Sequence, residues 1–263
     1  MTSLDEDLAL AMSIADAADR VTMAHFRSSD LKVDTKPDRT PVTEADQAAE
    51  RIIRDLLADH RPDDGILGEE FGTETVEGGR RWIIDPIDGT ANYLRAVPVW
   101  CTLIALETDG DLVVGVASAP ALGRRWWAAR GSGAFTRDVN GETRRLAVSG
   151  VGELRDASFS YSDERGGPNG SRCRTTSSSR GCWRTRAYGD FLSHVLVAEG
   201  AVDIAAEPAL APWDMAALVP IITESGGTMT AFDGTAPLAG LSAVTTNGQY
   251  ELVPEVRSRP GDQ

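Results

Sequence analysis

Apolar residues recur at helical spacing over 5–26, where Leu8, Met12, Ala15, Ala18, Val21 and Phe26 share a face, and the pattern predicts an amphipathic helix. A loop with Lys36-Pro37 and Thr40-Pro41 separates it from a second predicted helix, from about Thr43 to Asp59. The apolar positions of that helix are Ala45, Ala48, Ile52, Leu56 and Leu57, and Arg61-Pro62-Asp63-Asp64-Gly65 ends it. The period then shortens. Ile66-Leu67, Trp82-Ile83-Ile84, 101–107 and 112–118 read as strands, followed by Gly-punctuated strands through 126–148 and 157–161. Beyond these, 188–200 and 213–225 read as helices, and 203–206, 228–232 and 242–246 as extended segments. Pro220 should kink the helix that contains it. Strand and helix mix without strict βαβ alternation, which favours an α+β or layered α/β arrangement over a doubly wound sheet.

The length of 263 residues suits one large domain, or two closely joined halves of roughly 1–150 and 151–263. The segment 163–182 has almost no apolar side chains and reads as a mobile surface loop. A charge of −14 argues against a nucleic-acid partner and favours divalent cations. No apolar run approaches the ~18 residues of a membrane span. The start lacks the basic and apolar regions of a signal peptide, and Cys101, Cys173 and Cys182 are too sparse for a disulfide framework. A cytoplasmic protein is the expectation. Trp126 and Trp127 alternate faces on a predicted strand and belong to the core rather than to a ligand site.

Carboxylates at element ends carry the candidate chemistry. In Trp82-Ile-Ile-Asp85-Pro-Ile-Asp88-Gly-Thr90 a buried strand ends at Asp85, Pro86 forces a turn, and Asp88-Gly89-Thr90 opens a short helix. Asp85, Asp88 and the Ile87 carbonyl can converge, and oxygen-only ligation suits Mg²⁺. The Gly89 and Thr90 amides would lie at a helix N-terminus, where phosphate is well held. Taken alone, the same residues spell an Asp-Pro turn followed by an Asp-Gly turn. Glu69-Glu70 ends another apolar strand, though such pairs are usually solvated. Asp214 opens an apolar helix, where an acid also complements the dipole. Asp46 stands three residues after Thr43 in the pattern of a capping box.

Together these motifs resemble the inositol monophosphatase family of metal-dependent phosphatases. The resemblance runs from Val42-Thr43-x-x-Asp46 through Gly68-Glu69-Glu70 and Asp85-Pro-Ile-Asp-Gly-Thr90 to Trp213-Asp214 and Glu224-Ser-Gly-Gly227. It implies a single domain of layered αβαβα type, an enzyme that hydrolyses a small phosphate monoester, and a homodimer. It implies roughly two or three Mg²⁺ ions per site, held by Glu69, Asp85, the Ile87 carbonyl, Asp88 and Asp214, and sensitivity to Li⁺. Asp46 would complete a further metal site through water and, with Thr90, activate the attacking water. Asp88, Gly89, Thr90 and Asp214 would contact the substrate phosphate. His25, His60 and His194 have no role in such a site and read as structural or surface residues.

Asp190 and Glu207 would face the remainder of the substrate. An acid at 190 suits a cationic ester, because a charge-assisted hydrogen bond becomes available; the same aspartate could instead cap the helix that begins there. Arg124–Ala134 and Arg186–Phe191 resemble the actinobacterial histidinol-phosphate phosphatase branch of the family, and that branch supplies the expected substrate. The alternatives are an inositol-1-monophosphatase, another sugar or nucleotide phosphatase of the family, or a member acting mainly as a binding partner. Ala91, where a polar residue often follows Asp-Gly-Thr, departs from the family pattern.

Overall fold

Thr43 and Asp46 begin the second helix with reciprocal hydrogen bonds, as Ser3 and Glu6 begin the first: in each, the cap side chain accepts from the third helical N–H while the acid accepts from the cap N–H. Such boxes satisfy N–H groups that a helix start leaves without partners. The computed structural model describes residues 3–35, 41–75, 79–162 and 181–250. Most of the polar segment 163–182, with Cys173, lies outside the described residues.

Helices α1 (Leu4–His25) and α2 (Glu44–His60) pack against each other, and the ribbon β1 (Val33–Thr35) with β2 (Pro41–Thr43) leads into α2. The buried stripe of α2 is Ala45, Asp46, Ala49, Glu50, Ile53 and Leu57, so it is rotated from the apolar positions expected. Ile52 and Leu56 are only partly buried, and two acids occupy the inner face instead.

An eight-stranded sheet follows, in the order β10-β9-β8-β7-β6-β5-β3-β4. Its strands are β3 (Gly65–Gly68), β4 (Gly72–Glu74), β5 (Arg80–Asp88), β6 (Cys101–Thr108), β7 (Asp111–Ala119), β8 (Arg124–Ala129), β9 (Gly133–Arg137) and β10 (Thr143–Arg145). All neighbours are antiparallel except β3 and β5. The expected strand end at Asp85 is corrected. β5 continues to Asp88, with its register on β6 broken between Asp85 and Asp88. Pro86 has no N–H to give the ladder, so pairing slips there and the strand bends. Trp126 is fully buried on one face of β8 and Trp127 partly buried on the other, as period-two alternation requires.

A smaller sheet has the order β12-β11-β13-β15-β14, from β11 (Ser158–Tyr161), β12 (Arg184–Arg186), β13 (Ile204–Glu207), β14 (Thr228–Thr230) and β15 (Ala243–Thr246). Helices α4 (Asp190–Ala198) and α6 (Leu218–Glu224) lie between the two sheets, while α1 and α2 cover the outer face of the large one. Helix pair, large sheet, helix pair and small sheet thus form four successive layers of the expected sandwich. The main core fills the space between the sheets, with Leu103, Trp126, Phe191, Val195 and Ile221 among its residues.

The helix expected over 213–225 is two helices, α5 (Pro212–Ala216) and α6, joined at Ala217. Pro220 lies in the first turn of α6, where its missing N–H costs nothing. Gly115 of β7 lets this junction sit on the sheet: a Cβ there would fall 2.1 Å from the Ala217 carbonyl oxygen.

Candidate active site

The irregular end of β5 delivers both of its carboxylates to one cavity. Asp85 is 2% exposed, and its Oδ1 accepts the Ile87 N–H at 2.9 Å. Three residues on, Asp88 Oδ2 accepts the Phe191 N–H of α4 at 2.9 Å. From α5, Asp214 Oδ2 accepts the Ala211 N–H at 2.7 Å, so it complements the start of its helix and faces the cavity as well. Each of these three aspartates offers an oxygen within 4.8 Å of the others. Glu69, after β3, lines the same cavity, as do Ile87, Gly89, Thr90, Asp190 and Glu207. The cavity measures about 320 Å³.

Capping also serves the site at Asp46. This buried carboxylate spends Oδ2 on Thr43, accepting from its N–H at 2.8 Å and its hydroxyl at 2.6 Å. Oδ1 faces Thr90, whose Oγ1 is 3.4 Å away and donates to the Ile87 carbonyl at 3.0 Å. The two readings of Asp46 are therefore one arrangement. Gly89 precedes helix α3 (Thr90–Leu94) at φ +86°, a backbone for which glycine is the natural choice. A Cβ there would meet the Val99 carbonyl at 3.1 Å and Asp190 Oδ2 at 3.2 Å, which places the Asp190 carboxylate directly over the turn.

Asp190 is not the cap of α4, for Gly189 precedes the helix and no side chain caps it. The Asp190 backbone is left-handed at φ +49°. Ser162 accepts its N–H at 2.6 Å, and Asn92 Nδ2 donates to its carboxylate at 2.8 Å. Ser162 also donates to Glu207, which is 5% exposed on β13. Ser162 lines the cavity and Asn92 holds Asp190 from behind; Asn92 belongs to the motif that follows Asp-Gly-Thr without a site role expected of it, and Ser162 carries no signal in the sequence. His194, assigned no role from the sequence, also lines the cavity; its Nδ1 lies 2.8 Å from Thr245 Oγ1. Ala91 is exposed on α3.

Crowding sets the electrostatics. Burial, then the charges of Glu69, Asp88 and Asp214, hold the Asp85 carboxyl well above its usual range. Asp88 is raised well above its range by burial, then by Asp190 and Asp214, against the opposing Phe191 N–H. Asp214 is pushed up to about 7, burial outweighing the Ala211 N–H that lowers it. Burial likewise raises Asp190, against the Asn92 amide. Two unit charges 4.8 Å apart repel by about 3 kcal/mol at an effective dielectric near 20. A hard divalent cation converts that repulsion into ligation, and a donor set made only of carboxylate and carbonyl oxygens suits Mg²⁺, Mn²⁺ or Ca²⁺.

Two sheets with helices between and outside them, and a carboxylate-lined cavity at the end of β5, define a layered α/β protein with a candidate cation site. A sequence profile described as the inositol monophosphatase family matches residues 3–258. The chain is 56% identical over 92% of its length to a histidinol-phosphatase of Mycobacterium tuberculosis, covering 94% of that protein. It is 53% identical to a histidinol-phosphatase of Streptomyces coelicolor, covering 93% of each chain. The crystal structure of the extragenic suppressor protein suhB from Bartonella henselae superposes with a TM-score of 0.84 at 29% identity, over 93% of this chain and 95% of the other. The chain belongs to the inositol monophosphatase family.

Proposed function

We propose that this phosphatase hydrolyses L-histidinol phosphate to L-histidinol and phosphate with Mg²⁺, a step of histidine biosynthesis. The observation that carries the reading is the meeting of Asp85 and Asp88 from one half of the chain with Asp190, Glu207 and Asp214 from the other, around one cavity. Both halves would therefore act as one catalytic domain. Glu69, Asp85, the Ile87 carbonyl, Asp88 and Asp214 would hold the metal. When bound, Mg²⁺ supplies charge neutralisation of the phosphoryl oxygens and a lowered pKa for ligated water. The amides of Gly89 and Thr90 receive the phosphate from the N-terminal side of α3.

With its hydroxyl turned from the Ile87 carbonyl to Asp46 Oδ1, Thr90 Oγ1 would take a proton from the attacking water and pass its own to Asp46. Thr43 makes both of its hydrogen bonds to Oδ2, and Oδ1 is the Asp46 oxygen that Thr90 reaches. At the opposite wall, Asp190 and Glu207 would accept hydrogen bonds from the substrate's ammonium or imidazole. Inositol offers only hydroxyls, so a pair of acids discriminates against it in favour of a cation. The names of the two actinobacterial relatives point the same way. Family membership supports a homodimer, and the free, buried Cys101 goes with a reducing cytoplasm. No helix among the described residues is long and apolar enough to cross a membrane.

A substrate panel with Mg²⁺ tests the proposal, comparing histidinol phosphate with inositol-1-phosphate, fructose bisphosphate and adenosine 3′,5′-bisphosphate. Histidinol phosphate should show the highest kcat/KM. A preference for inositol-1-phosphate would overturn the substrate and leave the phosphatase class standing.

A further inference from the structure

Glu50 does not line the cavity, yet it is a fully buried acid one turn beyond Asp46 on the same face of α2. Burying a carboxylate is costly unless its oxygens are satisfied, and these are. Oε2 accepts the Glu70 N–H at 2.7 Å, while Oε1 accepts the Phe71 N–H at 3.2 Å and Arg54 Nε at 2.8 Å. Arg54 goes on to donate to the Gly72 carbonyl at 2.5 Å. On the other side of the turn, the Glu69 N–H donates to the Ile84 carbonyl of β5 at 3.2 Å. The chain from 69 to 72 is therefore gripped between β5 and α2.

Gly68 records how close the grip is. A Cβ at that position would fall 2.0 Å from Glu50 Oε1 and 2.5 Å from its Cδ, so the carboxylate occupies the space a side chain would take. Arg51 and Arg54 close the arrangement from outside, their guanidinium groups 5.2 and 6.0 Å from the Phe71 ring centre. The Glu69–Ile84 bond ends the β3–β5 ladder, whereas the contacts of Glu50 and Arg54 with residues 70–72 complete no helix or sheet. Their common effect is to fix the backbone from which the Glu69 side chain departs.

We infer that Glu50 is a positioning residue for metal binding: it holds the 69–72 turn so that the Glu69 carboxylate reaches the cavity in register with Asp46. This rests on the proposed role of Glu69 as a metal ligand. One rigid helix then sets both the partner of Thr90 and the turn that carries Glu69, because Asp46 and Glu50 are a helical turn apart. Groups that orient a metal ligand typically change affinity 10–100-fold when lost.

The test measures Mn²⁺ binding to the full-length protein by the decrease of the free-ion paramagnetic resonance signal, alongside thermal midpoints. Glu50→Gln should bind Mn²⁺ about tenfold or more weakly, and Glu69→Gln should weaken it as well. Asp7→Asn serves as the control for destabilisation alone. Asp7 is buried and paired with Arg61 and Arg80, at the opposite end of β5 from the cavity. This variant should melt earlier and bind Mn²⁺ like the wild type. Unchanged binding in Glu50→Gln with weakened binding in Glu69→Gln would overturn the role of Glu50 and spare that of Glu69. Unchanged binding in Glu69→Gln would overturn both. Equal weakening in Asp7→Asn would show a general loss of structure and also overturn the inference. Should Glu50→Gln not fold, Arg54→Gln removes the outer clamp from a partly exposed position and carries the same comparison.

Discussion

Replacing Asp190 by asparagine should convert a selective enzyme into a permissive one. The substitution removes a charge and little else. Asparagine keeps the volume, leaves an oxygen to accept from Asn92, and tolerates the left-handed backbone at φ +49° better than most residues. Among the described residues lining the cavity there is no lysine or arginine, so the Asp190 charge has no protein cation beside it there. Its raised pKa expresses the same fact, burial being the largest cause. A substrate ammonium would supply the missing partner. One hydrogen bond between charged groups contributes roughly 1.5–3 kcal/mol, or about a ten- to hundredfold change in kcat/KM. The assay compares histidinol phosphate with glycerol phosphate on wild type and variant. The first should lose that factor while the second, with no cation, stays within about twofold by the same reasoning. Equal losses on both esters, or none on either, would refute the assignment of Asp190 to the substrate's cationic end.

Exhaustive chelation should abolish turnover, Mg²⁺ should restore it, and Li⁺ should inhibit; Asp85→Asn should lose nearly all activity at any Mg²⁺ concentration, yet melt no earlier than wild type without metal, since it relieves like-charge crowding. Thr90→Ala should lower kcat by ~10²–10⁴ with little change in KM, the pattern of an interaction made in the transition state, and steady-state kinetics would show it. His194 is buried and its pKa is lowered to about 4, burial being the cause. Its stabilising contribution is complete above its ordinary value of ~6.5 and is lost as pH falls toward the folded-state value. The loss, about 3 kcal/mol by pH 4, should appear in urea unfolding of wild type and be absent from the pH slope of His194→Gln.

Local signals made much of this arrangement legible. The apolar triplet Trp82-Ile-Ile read directly as strand, and Thr43-x-x-Asp46 read as a helix start, because a pleat and a cap are each decided within a few residues. The motif Asp85-Pro-Ile-Asp-Gly-Thr90 with Trp213-Asp214 was enough to reach the family. Less was legible where a residue serves two structures at once. The inner face of α2 was misplaced by its partly buried Ile52 and Leu56, since hydrophobicity does not reveal which stripe a neighbouring sheet will cover. An acid at Glu50 on that face was the available clue, and only its partners in the 70–72 turn explain it.

The chain by itself determined most of the strands and helices, though not β1, β2, β4, β12 or the break between α5 and α6, together with the carboxylates at element ends and the class of chemistry, because periodicity and turn residues act over short range. Tertiary structure alone decided that β5 runs past Pro86 with a broken register, that α5 brings Asp214 to within 4.8 Å of Asp85 and Asp88, and that Asn92 and Ser162 hold Asp190 over Gly89. These placements depend on the packing of two sheets around a shared helix layer. The pKa values follow from the same source. An aspartate is an ordinary acid in the sequence, and its carboxyl is pushed up to about 7, as at Asp214, only where folding removes its water and sets other carboxylates beside it.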